Sequence, residues 1–269
     1  MFQEVLACLD GSALAETILP LARVLSASNG GKLVLLRVVA DAAEFSADEE
    51  SLRARARQYG AELRWIVSAD PAAAIGAELE RGPHRIAALT THGRSAWVEA
   101  ILGSVALRVI REAKRPAIVF RPLAEAREAP RKIDIIAVAL DGSRFAEKIV
   151  PHAVQAAQCL SARLQLLQVL PVLPAPTVLT PQELHDVHES SYLHRKASEI
   201  KAAHGIAAQW EVLHGDPAEA ICAYLSGMPD TLLAMTTHAR TALERTVLGS
   251  VAGACVRHAG VPLLLYWPR

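Results

Sequence analysis

Leu89-Thr90-Thr91-His92-Gly93-Arg94-Ser95, leading to Leu102-Gly103-Ser104-Val105-Ala106, is written again as Met235-Thr236-Thr237-His238-Ala239-Arg240-Thr241, leading to Leu248-Gly249-Ser250-Val251-Ala252. The second version lies 146 positions after the first, and the same offset relates Asp70-Pro71 to Asp216-Pro217 and Pro116 to Pro262. Nearer the start of each version, Leu9-Asp10-Gly11-Ser12 matches Leu140-Asp141-Gly142-Ser143 at an offset of 131. The chain is therefore one domain written twice, with about fifteen residues added inside the second copy. Differences between the copies become the main source of functional information.

Two domains of about 130 residues fit the 269-residue length, and each is long enough to bury its own core. Hydrophobic residues make up 52% of the chain and aromatics only 4%, so that core is Ala, Leu, Val and Ile. Basic and acidic residues balance at 28 each, which argues against nucleic acid or a membrane surface as partner. Cys8, Cys159, Cys222 and Cys255 form no C-x-x-C pair and no zinc spacing, and read as reduced thiols packed in the core. Met1-Phe2-Gln3-Glu4 does not begin a signal peptide, and no apolar run reaches the length of a membrane span. The expectation is a soluble cytoplasmic protein.

Short β-branched runs alternate with segments of helical period, the pattern of β-α-β units on a parallel sheet. In the first copy strands are expected at Glu4–Leu9, Lys32–Val39, Leu63–Val67, Ile86–Thr90 and Ala117–Arg121, with helices at Leu14–Ser28, Asp48–Tyr59, Pro71–Glu80 and Ser104–Ala113. The second copy predicts strands at Ile133–Leu140, Leu164–Leu170, Ala208–Leu213, Thr231–Thr236 and Leu263–Tyr266. Its added residues, Pro171–Pro181, hold four prolines, and a long helix at Gln182–Ala203 follows. Asp70 and Asp216, each before a proline, read as helix N-caps. The fold class expected is α/β: two tandem Rossmann-like domains, each an open five-stranded parallel sheet with helices on both faces. Domain 1 takes residues 1–122, a linker 123–132, and domain 2 residues 133–269.

In such sheets ligands bind beyond the carboxyl ends of the strands. Two segments fall there. Asp10-Gly11-Ser12 ends the first strand, with Gly11 suited to a tight turn and Ser12 to capping the next helix. Thr90 to Ser104 ends the fourth strand and returns to the last helix. Gly103-Ser104 at that helix start offers amides, a positive dipole end and a hydroxyl, a set that suits phosphate. Gly93 lets the backbone approach closely, Arg94 adds a cation, and Asp10 can accept from a sugar hydroxyl or a base. The same residues also read as plain structure, with Ser104 and Ser250 as caps, Gly103 and Gly249 as turn residues, and Asp10 and Asp141 as loop braces.

Two copies of Asp-Gly-Ser followed by Thr-His-(Gly/Ala)-Arg…Leu-Gly-Ser-Val-Ala…Pro resemble the universal stress protein family in its tandem form, over nearly the whole chain. The resemblance implies a five-stranded parallel sheet, and pairing of the two halves within the chain through their last strands, Ala117–Phe120 and Leu263–Tyr266. The ATP-binding branch of that family carries Gly-x-x-Gly, nine residues, then Gly-Ser or Gly-Thr; another branch lacks these glycines and binds no nucleotide. Here the first copy reads Thr90, Gly93, Gly103, Ser104, and the second Thr236, Ala239, Gly249, Ser250. Where the loop needs positive φ, each added β-carbon costs about 1–2 kcal/mol. The first copy is thus expected to be the better site.

The resemblance implies a regulatory protein binding ATP or a related adenine nucleotide without rapid turnover, and acting on a protein partner the sequence does not name. The candidate nucleotide residues are Asp10, Gly11, Ser12, Val39, Thr90, His92, Gly93, Arg94, Gly103 and Ser104, with Asp141, Gly249 and Ser250 in the second copy. Asp10 would contact ribose or adenine, Gly93 and Gly103 amides the phosphates, Ser104 the terminal phosphates with Mg2+, and the backbone of Val38–Ala40 the adenine. A nucleotide-free interaction protein of the same fold is the alternative, and a homodimer is left open. His92 and His238 have no acid or nucleophile fixed beside them and read as loop-holding residues. There is no G-x-S-x-G elbow and no Walker loop. His185 and His188, three apart on the predicted long helix, read as a polar face ahead of a metal pair.

Overall fold

A computed structural model describes residues 1–91, 102–113, 115–122, 129–171, 181–237 and 248–268, with the side chains of 45–47 and 181–190 left aside. The first half contains β1 (Glu4–Leu9), α1 (Ala13–Glu16), α2 (Leu19–Ala27), β2 (Lys32–Val39), α3 (Ala42–Tyr59), β3 (Glu62–Val67), α4 (Pro71–Glu80), β4 (Arg85–Thr90), α5 (Ser104–Glu112) and β5 (Ala117–Phe120). The second contains β6 (Ile135–Leu140), a 3-10 turn (Ala146–Ile149), α6 (Val150–Leu160), β7 (Arg163–Leu170), α7 (Pro181–His204), β8 (Ala208–His214), α8 (Pro217–Leu225), β9 (Thr231–Thr236), α9 (Ser250–His258) and β10 (Leu263–Tyr266).

These strands form one ten-stranded sheet in the order β3-β2-β1-β4-β5-β10-β9-β6-β7-β8. Every neighbour within a half is parallel; only β5 and β10 run antiparallel, with Leu263 opposite Val119, Leu264 opposite Ile118 and Leu265 opposite Ala117. Because successive side chains leave a strand on opposite faces, Ile118 and Leu264 enter one core, under α2, α3, α6 and α7. Ala117, Val119, Leu263 and Leu265 enter the other, under α4, α5, α8 and α9. Each core therefore runs across both halves without a break.

Two helices depart from the sequence expectation. The segment Leu14–Ser28 is divided, because Pro20 has no amide to continue a helix but suits the first turn of a new one, α2. Ser12 caps the short α1, its hydroxyl accepting from the Ala15 amide at 3.1 Å. Helix α3 starts at Ala42 rather than Asp48, because Asp41 caps it by accepting from the Glu44 amide at 2.9 Å. The segment between the halves is not featureless either: Ala129 is buried and its amide donates to the Thr17 carbonyl at 3.2 Å.

At the amino ends of the first-half strands lies an ion-pair network. Buried Glu78 of α4 accepts from Arg64 at 2.8 Å, Arg81 at 2.6 Å and Arg85 at 3.2 Å, and Glu4 pairs with Arg64 and Arg85. Burial would raise the Glu78 carboxyl, but hydrogen bonds from Arg64 and Arg81 outweigh it and hold the pKa below the ordinary value. A carboxyl lowered on folding stabilises the fold above its unfolded pKa, and the contribution is lost as pH falls through the folded pKa. Glu78→Gln is expected to lower unfolding free energy at neutral pH by about 2 kcal/mol, with the gap to wild type closing in acid; denaturant titrations from neutral pH downward check this. At the junction, Leu264→Ala is expected to cost about 3 kcal/mol. Calorimetry should show the melting of both halves displaced together, whereas an unshifted first-half transition would contradict the shared cores.

Candidate functional site

Each half has a cleft where its strands end. The first, of about 410 Å³, is lined by residues that include Asp10, Val38, Thr90 and Ser104; the second, of about 590 Å³, by residues that include Asp141, Gln168, Thr236 and Ser250. Both volumes lie in the range of small-ligand sites.

The Asp-Gly-Ser turns are built alike. Gly11 and Gly142 have φ of 84° and 79°, which only glycine adopts cheaply. Asp10 Oδ1 accepts from the Ser12 amide at 2.9 Å and hydroxyl at 2.6 Å, and Asp141 Oδ1 accepts from the Ser143 amide at 2.9 Å. The aspartates therefore do brace their loops. Both also line the clefts.

Thr90 and Thr236 are the last residues of β4 and β9. The only non-glycine residues at positive φ among those described are Phe2 and Ser161, so the strain expected from threonine at the first motif position is absent. Gly103 and Gly249 are the N-caps of α5 and α9, which makes Ser104 and Ser250 first helical residues rather than caps. Their amides are also not free: Gly103 donates to the Thr91 carbonyl, and Gly249 to the Thr237 carbonyl at 2.7 Å. The amides facing outward without an intrahelical partner are those of the next three residues, Ser104–Ala106 and Ser250–Ala252. Gly103 matters for its size, since a β-carbon there would stand 3.2 Å from the Thr91 oxygen. His92, Gly93, Arg94, His238 and Ala239 lie outside the described residues, as do the side chains of His185 and His188.

Val39 does not reach the cleft. It is buried with the α2/α3 core, while its neighbours Val38 and Ala40 line the opening, as strand alternation requires. What sequence reading missed is the residue two places earlier. Arg37, with 4% side-chain exposure, donates to Glu44 at 3.0 Å, to Asp48 at 3.1 Å and to the Val38 carbonyl at 3.1 Å. Glu44 in turn accepts from the Ala40 amide at 3.1 Å. The second copy has Gln168 here, placed opposite Leu140 as Arg37 is opposite Leu9. The available signal was Arg37 as the one polar residue of the run Leu33–Val39, and in the second copy the weaker signal of Gln168, which shares Leu164–Leu170 with Gln165.

Two of the thiols are held protonated, while the hydrogen bond with Cys255 lowers Cys222. Burial pushes Cys8, which lines the first cleft, up to about 12. Cys255 is raised by its hydrogen bond with Cys222 and by burial, and it packs between α8 and α9. Asp70 and Asp216 cap α4 and α8 as expected, and Asp70 is also gripped by both guanidinium nitrogens of Arg108 at 2.8 and 3.0 Å. That grip holds the Asp70 carboxyl below its ordinary range. Among the described residues no three His, Cys, Asp or Glu side chains converge as a metal site, and no helix is long and apolar enough to cross a membrane.

The fold has close relatives in shape. A universal stress protein from Archaeoglobus fulgidus DSM 4304 superposes with a TM-score of 0.74 at 20% identity, covering 99% of both chains. A Pseudomonas aeruginosa PAO1 protein of unknown function superposes at 0.67 and 18% identity, covering 99% of this chain and 93% of that one. In sequence, a universal stress protein of Methanocaldococcus jannaschii is 30% identical over 137 residues, which is 48% of this chain and 79% of that protein. The model of the universal stress protein family matches twice, at residues 1–121 and 132–266, once for each half of the sheet. With both copies of the repeat matched, the chain belongs to the universal stress protein family.

Proposed function

We propose that this chain is a regulatory protein that binds ATP or a related adenine nucleotide at a strand-end cleft without rapid turnover, and that the bound nucleotide alters its association with a protein partner. The observation that carries the reading is the start of the last helix in each half. Three successive amides there open into a cleft of nucleotide size, below the positive end of a nine-residue helix. Phosphates would lie on the Ser104–Ala106 or Ser250–Ala252 amides, with Mg2+ carried by the phosphates and touched by the Ser104 or Ser250 hydroxyl. Asp10 or Asp141 would take a ribose hydroxyl or the base. Slow or absent hydrolysis follows from the carboxylates at hand. Asp10 and Asp141 hold their Asp-Gly-Ser turns, and Glu44 is bonded by Arg37 and Ala40, so among the described residues these cleft carboxylates are engaged in holding the fold.

Gly93, present only in the first copy, weighs toward the first half as the main site; the strand ends weigh toward the second, as argued below. A nucleotide-free interaction protein is the second reading, favoured by the Arg37–Glu44 pair lying across the first cleft. Titration calorimetry of the nucleotide-stripped chain with ATP and Mg2+ separates the two. Saturable binding is expected, with a melting temperature that rises by several degrees once ATP exceeds its Kd about 100-fold. No heat and no thermal shift at millimolar ATP would establish the nucleotide-free reading.

A further inference from the structure

We propose that the second cleft, rather than the first, is where the chain reads a nucleotide base, and that Gln168 is the specificity-determining residue, its carboxamide oxygen accepting from an amino group on the bound base. The inference rests on the nucleotide reading above and deepens it. Gln168 is 6% exposed and lines the second cleft beside the Asp141-Gly142 turn, where its Nε2 would stand 3.7 Å from a β-carbon placed on Gly142. Its Oε1 is buried and has no hydrogen-bond partner. Folded proteins seldom leave such an acceptor unmatched for structural reasons alone. Leucine would fill the position at no polar cost, as it does at Leu164, Leu166, Leu167 and Leu170 of the same strand.

The strand-end backbone points the same way. Val39 and Leu170 give their carbonyls to the neighbouring edge, accepting from Ser68 and Gly215, both at 2.9 Å. By alternation the carbonyls of Val38 and Val169 face the other way, over the ends of β1 and β6, where a base would lie. In the first half these polar groups are already taken by the chain itself. Arg37 covers the Val38 carbonyl and Glu44 holds the Ala40 amide, so the pair sits where a base edge would bind. In the second half position 168 carries no guanidinium, position 171 is a proline with no amide to satisfy, and the cleft is larger by nearly half. Among the described residues, the first cleft thus has its Val38 carbonyl and Ala40 amide bonded within the chain, and the second carries the unmatched Gln168 acceptor in place of the guanidinium.

The test uses the full chain with 8-azido-ATP as photolabel, peptide mapping of the label, and titration with ATP and with ITP, which carries a carbonyl in place of the adenine amino group. Expected are labelled peptides from β7 or α9, preference for ATP over ITP, and about tenfold weaker ATP binding in Gln168→Leu with that preference flattened. Gln168→Leu should melt higher than wild type without nucleotide, since it removes an unmatched buried acceptor, and Gln168→Met provides a second variant of similar volume. Labels confined to β2 or α5, with both variants binding normally, would overturn this inference and leave the nucleotide reading standing. Labels in the second half with unchanged ATP and ITP affinities in the variants would overturn the role of Gln168. No saturable labelling and no heat would overturn the nucleotide reading itself.

Discussion

Everything in this molecule is arranged around the pairing of β5 with β10, two four-residue strands whose side chains are almost wholly buried. A two-stranded contact of that length is marginal by itself. It holds because each strand is also the last member of a parallel sheet, so the pairing closes two edges that would otherwise be open. The alternation of side chains then sends Ile118 and Leu264 into one core and Val119 and Leu265 into the other. The antiparallel sense has a functional consequence. The parallel strands of the two halves run in opposite directions, so their carboxyl ends, and with them the two clefts, open at opposite edges of the sheet. One ligand cannot bridge both clefts, and any communication between them passes through the sheet.

Most of this was legible in the sequence, for a physical reason. Repetition doubles the observations: a strand such as Thr231–Thr236 and a helix such as Pro71–Glu80 are marked by apolar runs or by Asp-Pro caps that appear twice, and their limits fall where expected. Places where local chemistry competes were harder. Pro20 sits inside an amphipathic stretch and splits it, and Asp41 starts α3 within a polar segment that carries no apolar periodicity. The site was legible in outline only. Motif spacing finds Asp10, Thr90 and Gly103, and the apolar run already ends a strand at Thr90, but neither says that Gly103 spends its amide on Thr91. Val39 was misplaced by one residue of alternation. Arg37 and Gln168 belong to no motif, and their meaning appears only when burial and hydrogen bonding are known.

The two copies diverge at their strand ends more than in their turns. Asp-Gly-Ser and the glycine cap of the last helix are preserved because backbone geometry demands them: φ near 80° at Gly11 and Gly142, and a helix start packed against a strand-end carbonyl. Position 37/168 has no such demand. A buried guanidinium is tolerated in the first half because Glu44, Asp48 and the Val38 carbonyl hold its two terminal nitrogens, although its Nε stays unmatched; removing a carboxylate partner would leave charge in the interior. That mutual dependence fixes the start of α3 over the first cleft. In the second half a neutral carboxamide needs no counter-charge, so the same position can keep a free acceptor without disturbing the fold.

The position of the open cleft relative to the junction decides what a ligand there can influence. Thr236 and Thr237 line the second cleft, and the Thr237 amide donates to Tyr266, the last residue of β10. The Thr237 carbonyl in turn holds the Gly249 amide that starts α9. A molecule resting on the α9 amides therefore pulls on a helix start tied, through one residue, to the strand that joins the two halves. The first cleft has the same chain of bonds, Gly103 to Thr91 to Phe120 of β5, ending on the other side of the same junction. Ligand at one cleft and structure at the other thus act on the two strands of a single antiparallel pair. That shared pair is the physical element through which occupancy of either cleft would reach the other half.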